Sequence, residues 1–154
     1  MNPTLAIIAD DLTGALDSAA PFAGRGLRAV VALGPDGLEA ALASGAAVVA
    51  VNTLSRHLAP EAAAAVAAEA ARQCLAAGAQ LLLKKVDSRL RGNAGPEAEA
   101  IARVLGVETL LVAPAVPSQG RIVADGAIRG AGVGAQGIGV RERLAGAEIG
   151  RAHV

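Results

Sequence analysis

Residues 4–20 read TLAIIADDLTGALDSAA, and this stretch decides the fold class. Its apolar run over residues 4–9 lacks the alternation of a half-exposed strand, so it predicts a β-strand that is covered on both faces. A helical pattern follows over residues 14–23, after a short acidic turn. A strand that leads directly into a helix is the repeating unit of a parallel α/β sheet.

The same alternation continues along the chain. Strands are predicted at residues 4–9, 28–33, 47–51, 80–86 and 109–113, and helices at residues 14–23, 38–43, 60–77 and 96–105. Pro60 and Pro96 suit the first turn of a helix, where the missing N–H is not needed. Gly78 and Gly106 suit the ends of helices. We therefore predict a Rossmann-like α/β fold, in which a parallel sheet of about five strands is flanked by helices.

The composition excludes several classes of function. The 154 residues suit one domain, and the 14 basic and 14 acidic residues leave no basic excess for binding nucleic acid. Cys74 is the only cysteine, which excludes a disulfide framework or a zinc cluster within the chain. Phe22 is the only aromatic residue, so single-stranded nucleic acid has no aromatic platform to stack on. His57 and His153 are too few and too isolated for a metal site, and we predict none.

Targeting segments are not recognisable in the sequence. No basic region precedes the apolar run at residues 5–9, which is itself too short for a secretory signal. The alanine-rich stretches are interrupted by Glu, Arg and Gly before they reach membrane-spanning length. We therefore expect a cytoplasmic protein with neither a membrane nor a nucleic-acid partner.

The first predicted strand ends in a group of acids. Asp10, Asp11, Thr13 and Asp17 follow it, and ligands of parallel α/β sheets bind beyond the carboxyl ends of the strands. Two adjacent carboxylates can bind sugar hydroxyls, hold a metal-bound phosphate or act as a base. Helix capping by Asp11 or Thr13 explains one acid but not the pair, since neighbouring carboxylates repel each other. We therefore predict that Asp10 and Asp11 are functional.

Polar residues also follow the third and fourth predicted strands. Ser55 and Arg56 come after the third, and the Arg56 guanidinium is a fork of donors suited to a carboxylate. The fourth strand leads into the densest polar segment, whose candidate binding residues are Lys85, Asp87, Ser88, Arg91, Gly92 and Asn93. Lys84 and Lys85 must face opposite sides of the strand, so only one can point into a given site. Arg91 and the backbone N–H groups before the next helix can form an anion pocket.

A loop stiffened by two prolines follows the fifth predicted strand. It contains Pro114 and Pro117 and then Gln119, Gly120 and Arg121. A rigid loop that presents an arginine is a common binding device. We predict that the last three residues contribute to the same site.

Several familiar motifs are absent or incomplete. The chain has no GxxxxGK[ST] phosphate loop and no GxSxG nucleophile turn. Leu12 stands where the DxDxT pattern of haloacid dehalogenase-like phosphatases requires a second aspartate. Residues 132–137, GVGAQG, match GxGxxG but neither follow a clear strand nor open a clear helix, so they do not predict a dinucleotide site.

Four segments together resemble the four-carbon acid sugar kinase family. They are ADDLTGALDSA at residues 9–19, SR at 55–56, KKVDSRLRGN at 84–93 and APAVPSQGR at 113–121, in the order and spacing of that family. The third segment is the most specific, and the resemblance extends over residues 5–126. It implies an N-terminal domain that binds the sugar acid, with ATP and Mg²⁺ expected on a C-terminal domain that this chain lacks. Family members phosphorylate threonate, erythronate or 3-oxo-tetronate on the terminal hydroxyl.

The resemblance also implies roles for the candidate residues. Arg56, Arg91 and Arg121 would contact the substrate carboxylate or the transferring phosphoryl group. Asp10 or Asp11 would bind the hydroxyls of the sugar acid, and one of the two would be the base for the attacking hydroxyl. Lys85, Asp87, Ser88 and Asn93 would bind hydroxyls or neutralise charge. The other expected substrate-binding positions are Thr13, Asp17, Ser55, Gly92, Gln119 and Gly120.

The chain divides into three parts on this interpretation. Residues 1–126 form the sugar-acid-binding domain, residues 127–147 are a degraded or truncated Gly-rich segment, and residues 148–154 resemble a translated sequencing adapter and are expected to be non-native. The predicted partners are a small sugar acid and the absent nucleotide-binding domain. Two alternatives remain: a free-standing, non-enzymatic sugar-acid-binding module, and a phosphatase or aldolase-like enzyme that uses Asp10 and Lys85.

Overall fold

The computed structural model describes residues 2–145 of the chain. Its larger part contains the elements β1 (Leu5–Ala9), α1 (Leu12–Ala23), β2 (Ala29–Ala32), α2 (Leu38–Ala43), β3 (Val48–Asn52), α3 (Pro60–Ala76), β4 (Leu81–Lys85) and α4 (Ala94–Leu105). These four strands and four helices confirm the prediction, with each boundary within two residues of the expected one. A smaller part follows, with β5 (Arg121–Ala124), β6 (Ala127–Gly130), β7 (Ile138–Gly139) and α5 (Val140–Leu144).

The first four strands form a parallel sheet in the order β2-β3-β1-β4. In the register of this sheet Ala9 is paired with Asn52 on one side and with Lys85 on the other. The carboxyl ends of β1, β3 and β4 therefore lie level with one another. The polar loops that follow these three strands start from the same edge of the sheet.

Each face of the sheet packs against its own helical layer. Ile7 and Ala9 of β1 share one core with Ala15 and Ala19 of α1. The opposite face packs against α3 and α4 through a core that includes Ala6, Ile8, Val49, Val51, Ala71, Cys74 and Ile101. Small alanine side chains allow the helices to approach the strands closely, so a core forms almost without aromatic residues. The α/β fold class is confirmed.

The predicted fifth strand is wrong. Residues 109–113 run past the outer edge of β4 without forming a strand, and an apolar cleft of about 440 Å³ lies between them and β4. Leu111, in the middle of this segment, is 93% exposed. The apolar pattern resembled a strand, but within residues 2–145 the segment has no strand partner, so the parallel sheet has four strands.

The Gly-rich part of the chain forms a small antiparallel sheet in the order β5-β6-β7. Asp125 and Gly126 connect β5 to β6, both with positive φ, which is the geometry of a tight hairpin turn. A third core joins Ile128, Val140 and Leu144 to Leu90 of the larger part. Residues 127–145 are therefore folded and packed, which their composition had not led us to expect. The expected non-native tail at residues 148–154 lies outside the described residues.

The close contact between α4 and α5 depends on a glycine. A Cβ atom at Gly95 would lie 2.6 Å from the carbonyl oxygen of Leu144. Residues 132–137, which match GxGxxG, lie in the connection from β6 to β7 and open no helix. No helix in the described part of the chain is both long and apolar enough to span a membrane.

Candidate functional site

An open cleft of about 810 Å³ lies beyond the carboxyl ends of the parallel strands. Its walls are the loops after β1, β3 and β4, one face of α1 as far as Pro21, and the loop before β5. Ten of the predicted site residues line it: Asp11, Thr13, Asp17, Arg56, Lys85, Asp87, Ser88, Arg91, Gln119 and Arg121. The other five lie outside the lining: Asp10, Ser55, Gly92, Asn93 and Gly120.

Arg56 joins the two adjacent acids. Its Nε and Nη2 atoms each donate to one oxygen of Asp10 at 2.8 Å, and its Nη1 donates to Asp11 Oδ2 at 2.7 Å. The bond to Asp10 and the charges of both acids raise the pKa of the Arg56 guanidinium, against the opposing effect of its burial. One guanidinium thus removes the repulsion between the two carboxylates. Arg56 itself has little capacity left for a substrate carboxylate.

Asp11 also starts α1. Its Oδ1 atom accepts a hydrogen bond from the backbone N–H of Gly14 at 2.8 Å, so Asp11 is the N-cap of the helix. A Cβ atom at Gly14 would lie 2.6 Å from that oxygen. Each oxygen of Asp11 thus accepts one hydrogen bond and has room for another, and the side chain remains 28% exposed on the cleft wall.

Asp87 organises the loop after β4. Its carboxylate accepts from Nε and Nη2 of Arg91 at 3.0 and 2.7 Å, and from the backbone N–H groups of Arg89 and Arg91. Burial alone would raise the pKa of Asp87, but these hydrogen bonds outweigh it and hold the pKa below its ordinary value. The loop after β4 therefore folds around the charged Asp87 carboxylate. The Arg91 guanidinium is occupied by its bonds to Asp87.

The two adjacent lysines of β4 point to opposite faces, as predicted. Lys85 lines the cleft, where its Cγ lies 3.3 Å from the Cβ position of Gly14. Lys84 turns to the other face and forms a 2.7 Å ion pair with Oε2 of Glu97 on α4. Glu97 is fully buried. Glu97 was not predicted as a buried or functional residue, because a single Glu in a helix has the pattern of a solvent-exposed residue.

A buried chain of hydrogen bonds connects Glu97 to the loop after β3. Glu97 Oε1 accepts from Ser55 Oγ at 2.8 Å, and Ser55 Oγ lies 2.7 Å from Thr53 Oγ1, which donates to the carbonyl of Ala9. Ser55 is completely buried and lies outside the cleft lining, and its predicted contact with substrate stays a prediction. Its position immediately before Arg56 gives it a supporting role.

Asn93, Gly92 and Gly120 also support the walls of the cleft rather than line them. The Asn93 side chain donates to the carbonyls of Ser55 and Leu58. Gly92 has φ +82°, and a Cβ atom there would lie 2.7 Å from Oδ2 of Asp10. Gly120 has φ +68° and ends the turn before β5.

Arg121 crosses from β5 to the loop after β4. Its Nη1 donates to Gln119 Oε1 at 2.7 Å and to Ser88 Oγ at 3.2 Å. Ser118 and Arg89 line the cleft as well, although neither was among the predicted site residues. The KKVDSRLRGN segment contains Arg89, and its position between two selected residues was a usable signal.

The charges of the cleft favour an anionic ligand. Its lining has five basic residues and three acidic ones: Arg56, Lys85, Arg89, Arg91 and Arg121, with Asp11, Asp17 and Asp87. Arg56 and Arg91 form ion pairs. Among residues 2–145, Lys85, Arg89 and Arg121 have no acidic side chain paired with them. In the same residues no group of three or more His, Cys, Asp or Glu side chains could hold a metal ion.

Comparison with known proteins gives consistent matches. The chain is 42% identical over 132 residues to a D-threonate kinase of Bordetella bronchiseptica, covering 82% of this chain and 32% of that kinase. It is 42% identical over 123 residues to a D-erythronate kinase of Heliobacterium modesticaldum, covering 78% and 28% of the two chains. The chain therefore spans less than a third of the length of these relatives.

A crystal structure of similar fold was obtained from Bordetella bronchiseptica as a domain of unknown function, with bound citrate, in a domain-swapped dimer. It has a TM-score of 0.78 and 38% identity, over 91% of this chain and 34% of that chain. Residues 5–140 match the family described as a sugar-binding N-terminal domain. This match extends past residue 126, where the resemblance seen in the sequence was expected to end. The chain belongs to this family of sugar-binding N-terminal domains, found at the start of the four-carbon acid sugar kinases.

Proposed function

We propose that this chain is the substrate-binding part of an ATP-dependent kinase that phosphorylates a four-carbon sugar acid of the threonate, erythronate or 3-oxo-tetronate type. ATP and Mg²⁺ bind a separate nucleotide domain, which is outside this chain. The names of the matched relatives, D-threonate kinase and D-erythronate kinase, support this assignment. The cytoplasmic location expected from the sequence stays a prediction.

The observation that carries the proposal is the mixture of groups in the cleft. Lys85 and Arg121 are cations without an acidic partner in the described residues, whereas Asp11, Asp17 and Thr13 offer oxygen atoms on the wall formed by α1. A sugar acid has one carboxylate and several hydroxyl groups. One of these cations would hold its carboxylate, and the oxygen atoms on the α1 wall would form hydrogen bonds with its hydroxyls.

The two acids predicted to be catalytic take different roles in this proposal. Asp11 lines the cleft and is the candidate base for the attacking hydroxyl. Asp10 has a side chain only 5% exposed and lies outside the lining, so it acts by holding Arg56 in place. Phosphoryl transfer depends on positioning and on positive charge near the transferring group, and Lys85 and Arg121 can supply that charge.

Calorimetric titration with D-threonate, D-erythronate and 3-oxo-tetronate tests the binding part of the proposal. We expect at least one acid to bind, and Lys85→Met to weaken its affinity about tenfold, the effect of losing one charged contact. Arg72→Met is the matched control, because Arg72 lies exposed on α3 and is absent from the cleft lining. Failure of all three acids to bind would contradict the proposal.

A fusion protein tests the catalytic part. The chain would replace the matching N-terminal part of the Bordetella bronchiseptica D-threonate kinase, and ADP release would be measured with each acid. We expect activity from the fusion and its loss in Asp11→Asn, with binding of the acid retained. Turnover of ATP by the isolated chain would argue against a separate nucleotide domain. Binding of an acid without any activity in a folded fusion would favour the free-standing binding module.

A further inference from the structure

Two arginines from different loops meet at one turn of the small sheet. Arg121 Nε donates to the carbonyl of Ala131 at 3.2 Å, and Arg89 Nη1 donates to the carbonyl of Gly132 at 3.3 Å. These carbonyls belong to consecutive residues. The two guanidinium groups are therefore neighbours on the cleft wall, although 32 positions of the sequence separate the residues.

The turn that holds them depends on glycine. Gly130 and Gly132 have φ values of +111° and +72°, and a Cβ atom at Gly130 would overlap the carbonyl oxygen of Gly120 at 1.9 Å. That same carbonyl accepts from the backbone N–H of Ala131 at 2.9 Å. The GxGxxG stretch at residues 132–137 therefore begins in a turn that packs against Gly120, the residue immediately before Arg121.

The charge of this arginine pair is not balanced by protein groups. The guanidinium of Arg121 donates to the Ser88 hydroxyl, the Gln119 amide oxygen and the Ala131 carbonyl, and that of Arg89 donates to the Gly132 carbonyl; all of these acceptors are uncharged. Lys85 provides a separate positive charge against the first turn of α1. A sugar acid with one carboxylate would satisfy only one of these two positive positions.

We propose that Arg89 and Arg121 bind a second anionic group of the ligand, so that the cleft takes a four-carbon acid with two anionic ends. This inference rests on the proposed function, because it concerns the same cleft. The second group is either the phosphoryl group of the phosphorylated acid or the second carboxylate of a dicarboxylic acid. Guanidinium groups suit both, since their planar donors match the oxygens of phosphate and carboxylate.

Titrations of the chain with D-erythronate, D-erythronate 4-phosphate and tartrate, at one ionic strength, test the inference. We expect a ligand with two anionic groups to bind about tenfold tighter than D-erythronate, the contribution of one charge-assisted pair. A gain with the phosphate alone identifies the phosphoryl group, and a gain with tartrate alone identifies the second carboxylate. No gain with either ligand overturns the inference.

Arg89→Gln makes the test specific. It should remove the advantage of the doubly anionic ligand and leave the affinity for D-erythronate within about twofold, because Arg89 is assigned to the second group only. Arg72→Gln on α3 should change neither affinity. An equal loss for all ligands in Arg89→Gln would overturn the inference while leaving the proposed function intact. Failure of D-erythronate, D-threonate and 3-oxo-tetronate to bind would instead count against the proposed function itself.

Discussion

Arg56 forms a two-pronged ion pair with Asp10, in which each oxygen of the carboxylate lies 2.8 Å from one guanidinium nitrogen. The two side chains are only 16% and 5% exposed. A paired geometry of this kind fixes both groups in orientation as well as in distance. The floor of the cleft is therefore a rigid ionic unit, and the residues above it are positioned against a fixed charge distribution.

Loss of Arg56 should destabilise the fold. Arg56→Gln leaves the buried Asp10 carboxylate without its counter-charge, and breaking a buried pair in this way costs about 3 kcal/mol. Urea unfolding followed by circular dichroism measures the change. Arg72→Gln removes an exposed pair with Glu69 and should cost less than about 1 kcal/mol. Equal losses in the two variants would contradict the structural role given to Arg56.

Substitution of Gly92 should destabilise the fold more than substitution of a glycine that has positive φ but open space around its Cβ position. Gly92→Ala places a methyl group 2.7 Å from Asp10 Oδ2 and also strains the backbone at φ +82°, for an expected loss of about 2 kcal/mol. Gly45→Ala is the matched control, since Gly45 has φ +73° and open space around its Cβ position. It should lose about 1 kcal/mol, from the backbone alone. The difference between the two unfolding free energies measures the contact with Asp10.

The buried pair of Lys84 and Glu97 should show strong coupling. Glu97→Leu leaves the Lys84 charge buried without a partner and should cost about 3 to 5 kcal/mol, and Lys84→Met should cost a similar amount. The double variant removes both charges and should recover most of that loss. Urea unfolding of the four proteins gives the coupling energy. Additive losses would show that the ion pair does not form.

Asp87 should make stability depend on acid pH. Its folded pKa lies below the ordinary value of 3.8, so its stabilisation is complete above that pH and is lost as the pH falls through the folded pKa. Asp87→Asn removes this contribution. Thermal melts of both proteins from about pH 7 to about pH 2.5 should show a difference in Tm that is constant at first and shrinks below about pH 4. The exposed Asp36→Asn is the control, and a constant difference in Tm at all pH values would contradict the prediction.

Much of the fold could be predicted because the apolar runs of a two-face-buried strand differ from helical patterns in both period and length. The opposite directions of Lys84 and Lys85 followed from the pleat of a strand alone. The segment at residues 109–113 shows the limit of such reasoning. An apolar run indicates that a segment can be a strand, but a strand also needs a partner edge in register, and the pattern carries no information about that partner.

The cleft itself was predicted from the polar loops after the strands, whereas the pairing inside it was not. Asp10, Asp11 and Arg56 were all selected, yet the sequence does not reveal that Arg56 binds the two acids rather than a ligand. Glu97 was missed because its burial depends on the distant Lys84 and Ser55. The hairpin after β5 had a usable signal, since an Asp-Gly pair between apolar residues favours a tight turn.

The outer edge of β4 has a practical consequence for handling this protein. Within residues 2–145 no strand covers that edge, and Leu81 and Leu83 beside it are 63% and 43% exposed. An uncovered edge with apolar side chains is a template on which another chain can add a strand. We therefore expect concentrated samples to aggregate through this edge more readily than dilute ones.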